Sequence, residues 1–473
     1  MAEGGRQGEV AAMMQRIRHR GDDHLKTINR PQLTIQASWS DAETRRASRS
    51  FSQNVAWDGV PVQNAAPEAL RGWSQPCVLA AASDRGLFLA RGPLGVRPLY
   101  YGRTERGTLA FASEVKALLA LTEDVNEFPP GTWYTPRDGF HRYGEVESGR
   151  LPYTDPDRIA LELRRTLDRA VARCMRTEAM GAWLSGGVDS SVIATLARRH
   201  VGTFHSFVSG VKGAPDLAYG EQVASFLGTT HHSLVVAEQD LVAALPEVIY
   251  HLESFDALLV RSSVVNYLAA QLASDHVGAV LSGEGGDELF AGYDYIKRLP
   301  LNEIPGELED IVLRLHNTAL QRVDRCAYAH GLVPFVPFAD LDVVRYALSI
   351  PPQYKVHHRH GVAVEKWILR RAFQGLLPDA VLWRPKAKFW QGAGVATLLA
   401  EHAEKSVTDA DFRRERVLPN GWRLHSKEEL LYYRIFREHF GGIPNLDWMG
   451  RTKRVTEERD QSPPSRSPRV TGE

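Results

Sequence analysis

Apolar residues follow two different spacings along this chain of 473 residues. Over residues 1–150 they fall into short runs bounded by turn residues, such as GLFLARG (86–92), RPLYYG (97–102) and LAFAS (109–113). Short apolar runs between turns favour the strands of an antiparallel sheet joined by hairpins. The first part of the chain is therefore predicted to be an antiparallel β domain.

Beyond residue 150 the pattern becomes one of alternating strands and helices. From Pro156 to about Arg176, apolar residues recur with helical periodicity and predict an amphipathic helix. Four short apolar runs follow, each succeeded by a loop and a helical pattern: GAWLS, HSFVS, HSLVV and GAVLS. This alternation is typical of βαβ units and predicts a parallel sheet with helices on its faces.

The remainder is predicted to be largely helical and to end in a tail. VEKWILRRAFQGLL and SKEELLYYRIFREHF have helical spacing, whereas RTKRVTEERDQSPPSRSPRVTGE is polar and rich in Pro, Ser and Arg. A segment of that composition buries too little apolar surface to fold. We therefore expect an antiparallel domain over residues 1–150, an α/β domain over 151–450 and a disordered tail over 451–473.

Composition narrows the class of protein. Hydrophobic residues make up 43% of the chain and charged residues 24%, as in globular proteins with ample core. The formal net charge is zero, which argues against a nucleic-acid partner. The three cysteines are far apart, so neither a zinc site nor a disulfide framework is expected. No secretory signal and no bilayer-length apolar run is visible, so we expect a cytoplasmic protein without a membrane partner.

The segment SGGVDSS (185–191) carries the clearest chemical signal. It follows the strand GAWL and opens the helical run SVIATLARR. Glycines let a backbone approach an anion closely, and helix amides with serine hydroxyls supply hydrogen-bond donors to phosphate. Asp189 does not attract phosphate, but a carboxylate beside a phosphate site can hold Mg²⁺. An ordinary helix-capping turn is the plain alternative, and glycines, serines and an aspartate together favour a nucleotide site.

A second segment, LSGEGGDE (281–288), repeats this arrangement after the strand GAVL. The ends of neighbouring parallel strands meet at the carboxyl edge of a sheet, where ligands bind. We therefore expect Asp189 and Asp287 to share one metal ion. Glu284, between glycines, is free to face the reacting centre, although each acidic residue alone is also compatible with a solvated turn.

The two segments resemble the nucleotide-binding loops of the asparagine synthetase B family of glutamine-dependent amidotransferases. Upstream, HRGDD (19–23), PLGVRPLYYG (93–102), FASEVKALL (111–119) and FPPGTW (128–133) resemble the glutaminase domain of that family. The resemblance implies a degenerate antiparallel β-sandwich of the amino-terminal-nucleophile type, followed by an α/β ATP-pyrophosphatase domain. Further similar segments in the second half are HSFVSGVKGAPDL (205–217), ASFLGTTHH (224–232), FDALLVRSS (255–263), Arg384-Pro385-Lys386 and SKEELLYYRIF (426–436).

The resemblance also implies a two-step reaction and a set of roles. A carboxylate attacks the α-phosphate of ATP and releases pyrophosphate, and a nitrogen nucleophile then displaces AMP. Glu284 would orient and deprotonate the amine, Lys386 would neutralise pyrophosphate and the oxyanion, and Arg261 would belong to the acceptor pocket. Asp189 and Asp287 would hold Mg²⁺. The implied ATP-binding residues are Ser185, Gly186, Gly187, Asp189, Ser190, Ser209, Ser282 and Gly283. A homodimer is expected from the family alone.

Two departures from the family pattern change the expected function. Glutaminases of this class use an amino-terminal cysteine, whereas this sequence starts Met1-Ala2-Glu3 and has its first cysteine at Cys77. The family's Asn-Gly-Glu segment is also missing, and only SRSFSQNVAWDG stands in its region. We therefore expect no glutamine hydrolysis by this chain. Ammonia, an amine, hydroxylamine or a separate nitrogen-donor enzyme would supply nitrogen.

The second departure lies in the acceptor pocket. Two threonines of the family are here Leu258 and Leu259, and its Glu-Ala-Arg is here Val333-Pro334-Phe335. Isobutyl groups leave the polar groups of a small amino acid unpaired, so a larger or more apolar acceptor is expected. The open alternatives are aspartate as the acceptor, a cyclase resembling β-lactam synthetase, a tRNA-modifying enzyme and a nucleotide-binding protein without catalysis. The retained Glu284 argues against the cyclase.

Overall fold

The computed structural model describes residues 2–3, 7–21, 23–30, 33–39, 55–59, 67–70, 76–83, 86–146, 148–175, 179–359, 362–386 and 389–453. Two antiparallel sheets and one parallel sheet, surrounded by helices, make up most of this part of the chain. The predicted tail lies outside the described residues from residue 454 onward. So do the first seven residues of SRSFSQNVAWDG.

The first 11 strands form the two antiparallel sheets. Their orders are β2-β3-β1-β8-β7-β9 and β11-β10-β6-β5-β4. The strands are β1 (Ala2–Glu3), β2 (His24–Arg30), β3 (Leu33–Trp39), β4 (Val55–Gly59), β5 (Cys77–Ser83), β6 (Gly86–Arg91), β7 (Tyr100–Arg103), β8 (Leu109–Ala112), β9 (Asn126–Glu127), β10 (Thr132–Thr135) and β11 (Gly139–Arg142). The helices of this region are α1 (Gln7–Arg16), α2 (Pro67–Leu70) and α3 (Val115–Leu118).

One apolar core joins the two antiparallel sheets. Ile35 of β3 and Phe111 of β8 belong to this core, together with Val78 and Ala80 of β5 and Leu89 of β6. All of these side chains are buried. The expected antiparallel sandwich is therefore confirmed. The strand predicted over 97–102 begins only at Tyr100, because Pro98 has no N–H to donate to a neighbouring strand.

The parallel sheet has the strand order β14-β13-β12-β15-β16, and every adjacent pair in it is parallel. The four predicted runs form four of its strands, and the fifth, at the sheet edge, was missed by the sequence analysis. The strands are β12 (Met180–Trp183), β13 (His205–Val211), β14 (Thr230–Val236), β15 (Ala279–Leu281) and β16 (Val333–Phe335). The chain order reverses between β12 and β15, which is where open α/β sheets bind ligands.

Helices cover this sheet and form most of the remaining chain. They are α4 (Pro156–Cys174), α5 (Val188–Ala197), α6 (Pro215–Leu227), α7 (Glu238–Leu252), α8 (Ala257–Ser274), α9 (Gly286–Leu289), α10 (Ile304–Leu313), α11 (Ala319–Tyr328), α12 (Leu341–Ser349), α13 (Pro352–Lys355), α14 (Trp367–Ala372), α15 (Asp379–Leu382), α16 (Phe389–Gly392), α17 (Ala396–Ser406), α18 (Asp409–Glu415) and α19 (Lys427–Phe440). A two-stranded hairpin, β17 (His357–Arg359) with β18 (Val362–Val364), precedes α14.

Local sequence explains where the predicted helices begin. Asp155 caps α4 by accepting a hydrogen bond from the N–H of Arg158 at 3.0 Å, and Pro156 occupies the first turn. Ser426 caps α19 in the same way at Glu429. The run VEKWILRRAFQGLL is helical only over α14, because its first residue ends a strand and Lys366 has a φ of 55°. The division at residue 150 stays a prediction.

A buried ion network joins the first part of the chain to α11. Arg20 Nη1 lies 2.6 Å from Asp324 Oδ2 and 3.0 Å from Glu114 Oε1. Arg325 bridges Glu114 Oε1 and Glu253 Oε2, at 3.0 Å each. All five side chains are buried. Burial raises the pKa of Glu114, but His19, Lys116 and Arg325 together hold it well below its usual range.

Replacing Arg20 tests how strongly this network holds the structure. The substitution Arg20→Met leaves buried carboxylates without their partner and should lower the free energy of unfolding by about 3–5 kcal/mol in urea denaturation. Arg16→Met, at an exposed position on α1, is the matched control. A loss of less than about 0.5 kcal/mol for the Arg20 variant would contradict a structural role for the network.

One buried and one half-buried histidine predict that acid destabilises the fold. Burial, with Lys116 and His19 nearby, lowers the pKa of His251 to about 3, and burial lowers the pKa of His330 to about 4. The unfolded chain, with an ordinary histidine pKa of about 6.5, then binds more protons than the folded chain as the pH falls below that value.

The free energy of unfolding should therefore fall between pH 6.5 and 5, with a slope approaching about 1.4 kcal/mol per pH unit for each such histidine. The His251→Gln variant should show a shallower dependence in urea denaturation over that range. The half-buried His402 on α17 supplies the control substitution, His402→Gln, which should leave the slope unchanged. Equal slopes for wild type and the His251 variant would refute the assignment.

Candidate active site

The loop 185–191 lies between β12 and α5, at the point where the strand order reverses. Gly187 is the residue before the first turn of α5, and Asp189 and Ser190 lie in that turn. The hydroxyl of Ser190 donates to the carbonyl of Gly187 at 3.1 Å and lies 3.3 Å from the hydroxyl of Ser185. Unpaired amides at the start of a helix, with hydroxyls beside them, suit a phosphate group.

Two glycines allow the loops to touch. Gly186 has a φ of +69°, and a Cβ atom there would lie 2.4 Å from the backbone of Tyr219. A Cβ atom on Gly283 would lie 2.6 Å from the amide nitrogen of Ser190. Any larger residue would push the backbones apart. The structure thus brings the two glycine-rich segments together, as the sequence predicted.

Two aspartates and two lysines meet where these loops touch. The ammonium of Lys366 pairs with Asp189 and lies 2.5 Å from Asp287 Oδ1. The ammonium of Lys386 pairs with the other oxygen of Asp287. Lys366 is almost fully buried and has the left-handed backbone that residues other than glycine seldom adopt. Sequence reasoning missed Lys366 because its segment resembled an ordinary amphipathic helix.

The lysines affect the two carboxylates differently. Burial raises the pKa of Asp189, and Lys366 only partly opposes that rise. Burial acts the same way on Asp287, but Lys366 and Lys386 outweigh it and lower the pKa of this carboxyl. Burial would lower the pKa of Lys386, yet Asp287 and Asp189 raise it. Asp287 and Lys386 are therefore charged at neutral pH.

The pair of aspartates fits Mg²⁺ when a triphosphate is also present. The oxygen Oδ1 of Asp189 is buried and accepts no hydrogen bond from any described residue. Mg²⁺ is commonly held by one or two carboxylates together with phosphate oxygens and water. Within the described residues no group of three or more His, Cys, Asp or Glu side chains could hold a metal ion. The phosphates and water would have to complete the shell.

A third acidic group lies on the same loop. Glu284, about a fifth exposed, pairs through Oε2 with the guanidinium of Arg322 on α11. Glu288 is buried and accepts a hydrogen bond through Oε1 from the hydroxyl of Tyr293. Burial, with Glu284 and Asp287 nearby, raises the pKa of Glu288 to about 8. The sequence analysis assigned no role to Arg322, Glu288 or Tyr293, although Glu288 ends the segment LSGEGGDE and Tyr293 lies five residues beyond it.

Arg384 ties the lysine-bearing segment to the first loop. Its guanidinium donates to the carbonyl of Ser185 at 3.0 Å and to Asp216 Oδ1 at 2.7 Å. It also lies 4.1 Å from the ring centre of Tyr219. Lys386 is only two residues further on. Arg384 therefore fixes the position of Lys386 relative to the loop 185–191.

These side chains line one cavity of about 750 Å³. Ser185, Gly187, Asp189, Ser190, Ser209, Ser282, Gly283, Glu284, Asp287 and Lys386 all lie on its wall. The hydroxyl of Ser209 donates to the carbonyl of Val265 at 2.8 Å. Part of the wall is apolar, with Leu258, Leu259, Ile311, Leu315 and Ala319.

Arg261 is not brought together with the other predicted residues. It does not line the cavity, and its Nε donates to Glu428 Oε1 at 2.8 Å. Tyr432 donates to the same carboxylate oxygen at 2.7 Å, which fixes Glu428 on α19. The sequence placed Arg261 in the acceptor pocket because it follows two residues of that pocket. In a helix, however, residues two positions apart, such as Leu259 and Arg261, do not face each other.

Removing Lys366 tests whether the two aspartates bind a cation. In Lys366→Met the carboxylates of Asp189 and Asp287 lose the ammonium that they share, so Mg²⁺ should raise the melting temperature of the variant more than that of the wild type. The difference should be about 1–2 °C for each kcal/mol of added binding free energy. Lys212→Met, at an exposed lysine, is the control. The same response to Mg²⁺ in all three proteins would show that the aspartates do not form a cation site.

Comparisons with known proteins agree on one family. The family model for asparagine synthase matches residues 162–309 and 307–453, and that for a glutamine amidotransferase domain matches residues 72–133. The chain therefore belongs to the asparagine synthase family, as its two loops predicted. No helix of the described residues is both long and apolar enough to cross a membrane.

Individual relatives carry names of the same kind. Asparagine synthetase [glutamine-hydrolyzing] 3 of Arabidopsis thaliana is 36% identical over 390 residues, which are 77% of this chain and 66% of that protein. The nodule enzyme of Pisum sativum is 35% identical over 390 residues, covering 77% of this chain and 65% of that protein. The matched region thus spans just under two thirds of these relatives' length.

Among solved structures, an NMN synthetase from Francisella tularensis shares 14% identity. The likeness covers 62% of this chain and 97% of that one, with a TM-score of 0.27. A score this low has no bearing on function.

Proposed function

We propose that this chain is an ATP-dependent, AMP-forming amide synthetase that activates a carboxylate as an acyl-adenylate and then aminates it. The observation that carries the proposal is the meeting of Asp189, Asp287, Lys366 and Lys386 at the strand reversal, with Glu284 on the same loop. Fixed positive charge beside a phosphate-binding loop stabilises negative charge that moves onto a leaving pyrophosphate.

The first step forms the activated carboxylate. A carboxylate oxygen of the acceptor attacks the α-phosphorus of ATP, and the bond from that phosphorus to the bridging oxygen of the β-phosphate breaks. The loop of Ser185 and Ser190 orients the phosphates, while Lys366 and Lys386 hold positive charge where pyrophosphate departs. Mg²⁺ on Asp189 and Asp287, when bound, would neutralise phosphate charge.

The second step forms the amide. The nitrogen of the nucleophile attacks the acyl carbon, the bond from that carbon to the phosphate oxygen breaks, and AMP leaves. Glu284 accepts a proton from the attacking nitrogen. In the structure Arg322 holds the Glu284 carboxylate, so this base is positioned before any substrate binds. Lys386 stabilises the oxyanion of the tetrahedral intermediate.

The proposal includes no glutaminase activity of this chain's own. A nucleophilic thiol must become a thiolate, and cysteines that do so lie exposed beside positive charge. Cys77, on β5 in the glutaminase-like region, is buried, and burial raises the pKa of its thiol well above the usual value. Burial likewise raises the pKa of Cys326 to about 12. The named relatives are glutamine-hydrolysing, so this would distinguish the chain from them.

The acceptor is proposed to be larger and more apolar than aspartate. Leu258 and Leu259 lie on the cavity wall, where the isobutyl groups favour contact with hydrocarbon rather than with a small polar amino acid. Aspartate is the second candidate, because the similar plant proteins are named asparagine synthetases.

The deciding assay is pyrophosphate release from ATP over a panel of carboxylates. Ammonia, glutamine and hydroxylamine serve as separate nitrogen donors, with aspartate and apolar carboxylates as acceptors. Turnover with ammonia or hydroxylamine, but not with glutamine alone, is expected. No turnover with any pair would favour a nucleotide-binding protein without catalysis, and turnover on glutamine alone would refute the proposed lack of glutaminase activity.

Two substitutions separate the half-reactions. Asp189→Ala should lower pyrophosphate release by about 100-fold or more, because the phosphate charge loses a metal ligand. Glu284→Gln should reduce amide formation far more than pyrophosphate release. The control Glu401→Gln, at an exposed position on α17, should change neither rate. If both half-reactions fell equally in the Glu284 variant, its assignment as the base would be wrong.

A further inference from the structure

One carboxylate of the cavity has no cation beside it. Glu288 is 3% exposed and lies on the cavity wall. Its oxygen Oε1 accepts a hydrogen bond from the hydroxyl of Tyr293, and its oxygen Oε2 is buried without a hydrogen-bond partner among the described residues. A buried polar atom left unpaired costs about 1–3 kcal/mol, so Glu288 is suited to a ligand that donates to it.

The neighbouring carboxylates are already paired with cations of the chain. Glu284 pairs with Arg322, and Asp287 pairs with Lys366 and Lys386. Described residues supply no such partner to Glu288. A partner that donates a hydrogen bond and carries positive charge would satisfy Oε2 and favour the ionised form of Glu288.

The surroundings favour an ammonium group over a metal ion. The rings of Tyr293 and Tyr295 both line the cavity, with their centres 6.1 Å apart and their planes within 17° of parallel. The Tyr295 hydroxyl donates to Glu307 Oε1 at 2.5 Å. Aromatic faces attract ammonium groups, whereas a metal ion would need several oxygen ligands beside the single free oxygen of Glu288.

We propose that Glu288, Tyr293 and Tyr295 form a binding site for a primary ammonium group, here called the ammonium site. The role of this site rests on the proposed function, because an amide synthetase has to bind an amine. Two sources have this chemistry: the nitrogen nucleophile before it loses its proton to Glu284, and an amino group carried by the carboxylate substrate. Because the rings are apolar, the site favours an ammonium with a hydrocarbon substituent over NH₄⁺.

Binding by the full-length chain is the first test. The probe is ethylammonium chloride at neutral pH, measured by isothermal titration calorimetry against sodium chloride at equal ionic strength. We expect ethylammonium to bind the wild type more tightly than NH₄⁺ does, and to bind Glu288→Gln at least about tenfold more weakly. Tyr293→Phe keeps the ring but loses the hydrogen bond to Glu288, and it should bind with intermediate affinity. Glu401→Gln is the control.

Several results would overturn the ammonium site. One is that ethylammonium does not bind the wild type, and another is that it binds the wild type and Glu288→Gln equally. A third is that Glu288→Gln loses Mg²⁺ binding to the same extent as ethylammonium binding. Should Glu288→Gln fail to fold, the comparison of ethylammonium with sodium on the wild type and on Tyr293→Phe still decides the matter.

Kinetics then separate the two sources. If the site holds the nucleophile, Glu288→Gln should raise KM for the amine about tenfold or more and leave KM for the carboxylate unchanged. If it holds an amino group of the acceptor, KM for the carboxylate should rise instead. For an analogue of the carboxylate without that amino group, KM should then be the same for the variant and the wild type. Failure of pyrophosphate release with every substrate pair would refute the proposed function, whereas ethylammonium binding would still support the site.

Discussion

The positions of the glycine-rich loops depend on one interaction, the pairing of two buried aspartates with two lysines. Asp189 and Asp287 follow neighbouring strands of the parallel sheet, and the geometry of that sheet alone would bring their charges together out of water. Two like charges so close would repel each other strongly at low dielectric. Lys366 between them, and Lys386 beside Asp287, offset this repulsion. The strained backbone at Lys366 marks how tightly that position is determined.

The loop after β15 gives three carboxylates three different environments. Asp287 has two ammonium partners, Glu284 has a guanidinium, and Glu288 has a neutral phenol. Groups of the same chemical type acquire different functions when their surroundings favour different charge states. This division would let one short segment serve the proposed phosphate site, base and ammonium site within a single cavity.

The antiparallel half is joined to the other half by buried ion pairs. Arg20 and Glu114 pair with Asp324 and Arg325 of α11, in a network that water does not reach. The same helix carries Arg322, which holds Glu284. A helix fixed at both Asp324 and Arg325 gives Arg322 little freedom to move. The antiparallel region thus bears on the geometry of the proposed base.

The sequence by itself determined the fold class, the family and most of the proposed phosphate site. Strand runs, glycines and first-turn hydroxyls are local features, and the two loops lie next to each other because parallel strands end at a common edge. Tertiary structure decided which distant side chains complete the site. Lys366, Arg322 and Arg384 reach it from segments whose own patterns resemble ordinary helices and loops, and Arg261 turns away to Glu428. The spacing of residues along a chain does not predict which charged side chains will be neighbours in the folded protein. Their contact depends on how all the elements between them pack.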